Sequence, residues 1–375
     1  MTSYRGLAVL FVGDLNPYSN SYSRLKAFER LGARVASISH TPAGNAEMGY
    51  ARPSIAFRLA WKLGFQLDTE NAGRRLLRDA PGFAPDLIWI EKGNMIRPGV
   101  LRRLRALCPD AALASYSDDD MYRRANRRRA YTRGLGEYDI VFTTKSYNAD
   151  SRELPLLGAR RVVMVDKAYD PDQHFPVALT PEDEAWLGAD VGFIGSYEAD
   201  RAAAMLHLAG SGVRVRIWGN GWHSFRGGGP NLAVERRALV NTADDPLYSK
   251  GVGATRINLA FLRKANRDLH TDRSIEIPAC GGFMLAEHSD EHARLFEDGK
   301  EAVFFRSPDE LVEKVQYYLR HVNERRAIAA AGRRRCVESG YRHEDRVAFM
   351  LDAIFGGGNN AVASKRKRSK PGREG

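Results

Sequence analysis

Short runs of consecutive apolar residues alternate along this chain with longer stretches of helical spacing; the alternation breaks once and then restarts. The first runs are LAVLFV (Leu7 to Val12), ARVASIS (Ala33 to Ser39), DLIWIE (Asp86 to Glu91), ALASYS (Ala112 to Ser117), DIVFTT (Asp139 to Thr144) and RVVMVD (Arg161 to Asp166). Between them lie YSRLKAFERLG, with Leu25, Phe28 and Leu31 on one helical face, an amphipathic stretch around Phe57 to Leu77, and a helix opened by Pro98. Apolar strands separated by helices bury both faces of a parallel sheet. After Asp166, KAYDPDQHFPVALTPED has no apolar period and reads as a linker. The pattern returns with VGFIGS (Val191 to Ser196), VRVRIWG (Val213 to Gly219), TRINLAF (Thr255 to Phe261), GFMLAE (Gly282 to Glu287) and EAVFFR (Glu301 to Arg306), with helices between and after them.

The expected architecture is therefore α/β: two Rossmann-like, doubly wound domains facing a cleft. The first spans residues 1–170 and the second 171–355, with the final helix able to cross back to the first; residues 356–375 form a disordered basic tail. Ligands of such sheets bind outside the carboxyl ends of the strands, which places the expected site in the cleft.

Composition narrows the function classes. With 43% hydrophobic residues the chain has enough apolar side chain for ordinary cores. No apolar run reaches the roughly 18 residues of a membrane span, and Leu7 to Val12 is too short for a secretory leader, so a cytoplasmic location is expected. Cys108, Cys280 and Cys336 form no CxxC pair, which leaves neither a disulfide framework nor a cysteine zinc site. Of the net charge of +11, six basic residues (Lys365, Arg366, Lys367, Arg368, Lys370, Arg373) against Glu374 put +5 in the tail. The rest is mildly basic, so no specific nucleic-acid partner is expected. The tail itself reads as a peripheral contact for the anionic inner face of a membrane, or as a solubilising end.

Several residue groups point to a phosphate-bearing, polyhydroxy ligand. In LHTDRSIEIPACGGFML (Leu269 to Leu285), Thr271 or Asp272 caps a helix that places Arg273 and Glu276 on one face, and Gly281 and Gly282 stop it. A cation there suits phosphate oxygens and a carboxylate suits ribose hydroxyls; a surface ion pair between the two gives the same spacing. In VGFIGS, Gly195 and Ser196 precede a helix whose N-terminal amides suit a diphosphate, with Arg201 in its first turns; a plain turn is the alternative for Gly195. In IWGNGW, Gly219 and Gly221 permit close backbone approach, while Trp218 and Trp222 read as core. The loop GDLNPYSNSYSR offers Asp14, Asn16 and Tyr18, with Ser19 and Asn20, to an acceptor. Asp118 and Asp120 fit the D-x-D pattern that holds a divalent cation. Arg123, Arg124, Arg127, Arg128 and Arg129 follow at once and neutralise the triplet without one, so Asp118 and Asp119 are taken as acceptor-side catalytic candidates and no metal is assigned. His288 and His292 read as part of a helix start, since HSDEH is not HExxH.

RSIEIPACGGFML, with the segment LFEDGKEAVFFRSPDELVEKVQYYLRHVNERRAIAAAGRRRCVESGYRHEDRV after it and VGFIGSYEADR and IWGNGW before it, resembles the C-terminal half of CgeB-type (spore maturation protein B-like) glycosyltransferases. These belong to the metal-independent GT-B group, and the resemblance covers roughly Val191 to Phe355. It implies a retaining transfer from a nucleoside diphosphate sugar, used as co-substrate with no cofactor, to a glycan, lipid or protein acceptor. The donor would be held by Gly195, Ser196, Arg201, Gly219, Arg273, Glu276 and Gly281. Arg263, Lys264 and Arg267 would help to stabilise the leaving diphosphate. Related enzymes carry two glutamates eight positions apart; Glu276 matches the second, and Asp268 stands at the first. Two other readings stay open: a nucleotide-sugar epimerase on the same fold, and a basic protein that binds nucleic acid or a membrane surface.

Overall fold

A computed structural model describes residues 4–42, 54–222, 225–235, 238–242 and 244–356. The basic tail from Gly357 onward lies outside the described residues. Up to Asp166 the elements are β1 (Ala8–Gly13), α1 (Asn20–Arg30), β2 (Arg34–Ser39), α2 (Ile55–Lys62), α3 (Ala72–Phe83), β3 (Leu87–Glu91), α4 (Pro98–Leu107), β4 (Ala112–Ser117), α5 (Arg129–Gly134), β5 (Ile140–Thr143) and β6 (Val162–Met164). There follow α6 (Pro181–Leu187), β7 (Ala189–Ile194), α7 (Ala199–Gly210), β8 (Val215–Trp218), β9 (Leu232–Glu235), α8 (Leu247–Ala254), β10 (Thr255–Ala260), α9 (Arg273–Ala279), β11 (Met284–Glu287), α10 (Asp290–Leu295), β12 (Val303–Phe305), α11 (Pro308–Arg320), α12 (Val322–Glu338) and α13 (His343–Phe355). Two units emerge: unit 1 is Met1–Asp166 with His343–Gly375, and unit 2 is Lys167–Arg342.

Unit 1 is built on a six-stranded sheet in the order β2-β1-β3-β4-β5-β6, every neighbouring pair parallel. Alternate residues of each strand go to opposite faces. Leu10, Val12, Ile88, Ile90 and Leu113 meet Leu76 and Ala80 of α3 and Leu101 and Leu104 of α4. Val9, Phe11, Leu87, Trp89 and Phe142 meet Leu25 and Phe28 of α1 and Val347, Met350 and Leu351 of α13. Trp89 anchors the second face, with Phe28 edge-on at 5.3 Å and Tyr116 and Phe142 stacked at 5.8 and 5.6 Å.

Unit 2 repeats the plan with the order β12-β11-β10-β7-β8-β9, again parallel throughout. Phe193, Ile217, Ile257, Leu259 and Leu285 pack with Met205 and Leu208 of α7 and Leu311 and Val315 of α11. Trp218, Ala260, Met284 and Phe304 pack with α8 and α9 on the other face. The strand order reverses between β1 and β3 in unit 1 and between β7 and β10 in unit 2, and these are the switch points where doubly wound sheets open a crevice.

Three departures from the sequence pattern have local causes. The stretch around Phe57 to Leu77 is two helices, because the chain turns at Gly64 (φ 84°) and again at Asn71 (φ 53°). The segment read as a linker contains α6, started by a capping box in which Thr180 and Asp183 bond each other's backbone N–H at 3.1 Å. β9 and α8 carry too few apolar residues in period to be found beforehand. All three cysteines are free, and among the described residues no helix is long and apolar enough to cross a membrane.

One buried ion pair ties α1 to the sheet of unit 1. Arg24, 3% exposed, gives Glu91 two hydrogen bonds at 2.8 and 2.7 Å, and Trp89 Nε1 gives Glu91 a third at 2.8 Å. Burial opposes the Arg24 charge, but Asp118 and Glu91 outweigh it and hold the guanidinium well above its usual range, while burial raises Glu91. Removing one partner leaves the other charged and dry. Arg24→Met is therefore expected to destabilise the protein by about 3–5 kcal/mol, and Arg24→Met with Glu91→Leu to recover most of that loss. Urea unfolding of the three proteins measures both effects.

Candidate functional site

In unit 2 the segments that follow β7 and β8 are held against each other by two backbone hydrogen bonds and one indole. The Gly195 N–H donates to the Trp218 carbonyl at 2.8 Å, the Trp222 indole donates to the Gly195 carbonyl at 2.9 Å, and the Tyr197 N–H donates to the Asn220 carbonyl at 2.9 Å. This closeness requires glycine. A Cβ at Gly219 (φ 145°) would stand 2.2 Å from the Gly195 carbonyl oxygen, and one at Gly195 would meet the Phe193 ring at 2.6 Å. Trp218 and Trp222 are both 2% exposed and belong to the core.

Three arginines converge beside this turn. Arg201, 7% exposed, donates to the Ser196 carbonyl at 3.2 Å and to the Phe261 carbonyl at 3.5 Å, and its Nε is buried with no partner. Arg273 Nε donates to the Ile194 carbonyl. Arg263 pairs with Glu198 at 2.9 Å. Burial pulls the Arg201 guanidinium below its usual range; Glu198 and Asp268 offset part of this, and the charges of Arg273 and Arg263 add to it. A dry cation crowded by two others is stabilised by an anion. Asp268 accepts from the Asn266 side chain at 2.9 Å, and Lys264 stands 3.8 Å from Glu287 at the end of β11.

Glu276 lies one turn further along α9 and is 9% exposed. It makes no ion pair with Arg273; its Oε1 faces His174 Nε2 at 3.7 Å. His174 Nδ1 accepts the Asp170 N–H at 3.1 Å, so the ring proton sits on Nε2, toward Glu276. Tyr248 approaches His174 edge-on at 5.5 Å, and its buried hydroxyl has no hydrogen-bond partner. Burial first, then the Glu276 charge, hold that phenol well above its usual range. His174 and Tyr248 come from segments without apolar period, and only the structure brings them to Glu276.

Gly281 is not part of this group. The helix α9 must return from the carboxyl end of β10 to the amino end of the parallel β11, so Arg273 and Glu276 begin its course and Gly281 (φ 79°) ends it at the opposite edge of the sheet. Nor does a side chain cap α9: Asp272 is itself helical and pairs with Lys167 at 3.1 Å, while the Ser274 hydroxyl accepts the Thr271 N–H at 3.0 Å.

The histidines nearby are structural. His270 accepts the Lys167 N–H at 3.0 Å and pairs with Glu291; His292 stacks on Phe304, bonds the Ser274 hydroxyl at 2.6 Å and donates to the Glu287 carbonyl at 2.7 Å. Burial pulls His292 down to about 4, so the folded protein keeps it neutral while the unfolded chain protonates it near 6.5. Its contribution is whole above pH 6.5 and is lost as pH falls from there toward 4, by about 3 kcal/mol at most. Unfolding free energies at pH 7 and 4.5 are expected to differ less in His292→Gln than in the wild type.

In unit 1, Asp14 is 7% exposed and organises the loop after β1. Its Oδ1 accepts from the Asn16 N–H at 3.1 Å, the Asn16 side chain at 2.6 Å and the Thr41 hydroxyl at 2.7 Å. Ser19 caps α1 through the Tyr22 N–H at 3.1 Å, and the buried Tyr18 hydroxyl has no partner. His40, at the end of β2, was not anticipated: it is buried, neither ring nitrogen has a partner, and burial lowers it to about 4. The three aspartates after β4 diverge. Asp118 takes Arg24 at 3.2 Å and the Tyr116 hydroxyl at 2.8 Å, Asp119 pairs with Lys92 at 2.7 Å, and Asp120 accepts from Asn148 at 2.9 Å. Among the described residues no group of His, Cys, Asp and Glu side chains is placed to hold a metal ion.

Residues 201–352 match a family model described as glycosyl transferase-like. No curated protein matches the chain in sequence. Among solved structures the chain is similar to Anabaena HepE in complex with UDP-glucose (TM-score 0.57, 11% identity, 93% of this chain and 100% of that one). It is also similar to the sucrose-phosphate synthase of Thermosynechococcus elongatus (0.62, 12%, 98% and 100%). A Listeria monocytogenes protein described as a UDP-N-acetylglucosamine 2-epimerase is a third such structure (0.51, 10%, 98% and 99%). The chain thus has a GT-B fold, and its residues 201–352 form a glycosyltransferase-like domain.

Proposed function

We propose that this protein is a glycosyltransferase whose unit 2 holds a uridine diphosphate sugar at the β7–β10 switch point and whose unit 1 binds the acceptor. The observation that carries the reading is the convergence of Arg201, Arg263 and Arg273 on the Gly195–Ser196 turn, with a buried guanidinium nitrogen left unpartnered and Glu276 within one helical turn. UDP is preferred as carrier because HepE, of the same fold, was solved with UDP-glucose. In the reaction the bond from the anomeric carbon to the β-phosphate oxygen breaks and its electron pair leaves with the diphosphate. The acceptor hydroxyl then bonds to that carbon, and its proton passes to the departing diphosphate. Charge grows on the diphosphate, and the arginines stabilise it there. Glu276 would accept from the ribose hydroxyls, kept oriented by His174. Retention of configuration and independence of metal follow from the resemblance to CgeB-type enzymes. On the acceptor side, the Tyr18 hydroxyl and the His40 nitrogens have hydrogen-bonding capacity to spare. Asp118 and Asp119, being engaged by Arg24 and Lys92, would act through those cations. The acceptor is a glycan, a lipid or a protein, and the tail would bring the enzyme to an anionic membrane surface.

Titrations with uridine and with UDP test the donor site. Glu276→Gln is expected to weaken both ligands about ten- to a hundredfold, because it loses charge-assisted bonds to ribose. Arg273→Ala is expected to weaken UDP and leave uridine nearly unchanged. UDP binding is expected to survive EDTA; loss on chelation with recovery on adding manganese would transfer the diphosphate to a metal.

A further inference from the structure

The amino ends of the unit 2 strands carry a cavity of about 860 Å³, at the edge of the sheet opposite the donor site. The six-residue β7 separates the two by about 20 Å. Five arginines line the cavity (Arg214, Arg216, Arg256, Arg325 and Arg326) against three carboxylates, Glu184, Asp190 and Glu235. Asp190 is spent twice, on Arg214 and Arg256, each at 2.8 Å, and Glu235 is taken by Arg216 at 2.8 Å. Arg325 is different in kind. It is 8% exposed, it donates to the Tyr318 carbonyl, and it makes no ion pair among the described residues. Its charge stands in the field of Arg256 and Arg326, with Asp190 as the opposing acid; burial first, then those two arginines, lower its pKa.

Arg325 lines the cavity beside two like charges, and the one acid that opposes it, Asp190, is already held by Arg214 and Arg256, so an anion in the cavity would offset uncompensated positive charge. The planar fork of an arginine matches phosphate oxygens, and exposed Arg256 and Arg326 stand at the same cavity to close on further oxygens. We propose that this cavity is a second anion site of unit 2, built for a phosphate group, and separate from the site that holds the sugar donor. The phosphate would come either as the free ion or on a small phosphorylated metabolite.

Calorimetric titration of the full chain with inorganic phosphate and with glucose 6-phosphate, in sodium chloride of matched ionic strength, tests this. Saturable one-to-one phosphate binding is expected, weakened at least tenfold in Arg325→Met and several-fold in Arg326→Gln. UDP affinity is expected to be unchanged in Arg326→Gln, which separates this site from the donor site. Equal affinity for the two probes assigns the site to the free ion, and tighter binding of glucose 6-phosphate assigns it to a phosphorylated metabolite. Because Arg326 is exposed, its variant keeps the test informative if Arg325→Met fails to fold. Heat no greater than that from added chloride, or equal phosphate affinity in wild type and Arg326→Gln, would overturn the proposal.

Discussion

A parallel sheet buried on both faces forces every strand to be followed by a segment that travels back to the other end before the next strand begins. Both units obey this constraint, and it decides where chemistry can be placed. Residues that start a returning helix gather at the carboxyl edge; residues that end one gather at the amino edge. Where the strand order reverses, at β1–β3 and β7–β10, neighbouring returns diverge to opposite faces and leave backbone uncovered. In unit 2 that uncovered backbone is the Gly195 turn, locked to β8 through Trp218 and Trp222, and it can be approached because Gly195 and Gly219 carry no side chain.

The two units handle charge in opposite ways. At the carboxyl edge of unit 1 Glu91 and Asp118 share Arg24, and Asp119 has Lys92. Neutral groups there, the Tyr18 hydroxyl and the His40 ring, keep unused hydrogen-bonding capacity. Unit 2 leaves positive charge over at both edges, through Arg201 and Arg273 above and Arg325 and Arg326 below. A neutral polyhydroxy ligand suits the first arrangement and phosphate suits the second.

Much of this was legible in the sequence, because strand and helix periods are written by burial on each face. The runs from LAVLFV to EAVFFR lie at strands, and the Arg273–Glu276 spacing is a spacing on a helix. Position along that helix was harder to follow. Gly281 shares a motif with Glu276, yet the course of α9 carries it to the other edge of the sheet. His174 and Tyr248 left no trace, since one sits in an aperiodic segment and the other in a helix with two glycines. By contrast, the Thr180–Asp183 capping box was visible as TPED and marks a helix inside what composition alone made a linker.

The central claim is that a nucleoside diphosphate sits at the β7–β10 switch point of unit 2 and not elsewhere on the chain. Backbone hydrogen exchange with and without saturating UDP measures this most directly. The account predicts slowed exchange at Gly195 to Tyr197 and in the first turn of α9, with Gly281 to Phe283 unchanged. Protection confined to Gly281 to Phe283, or none in either region under saturating UDP, would contradict it.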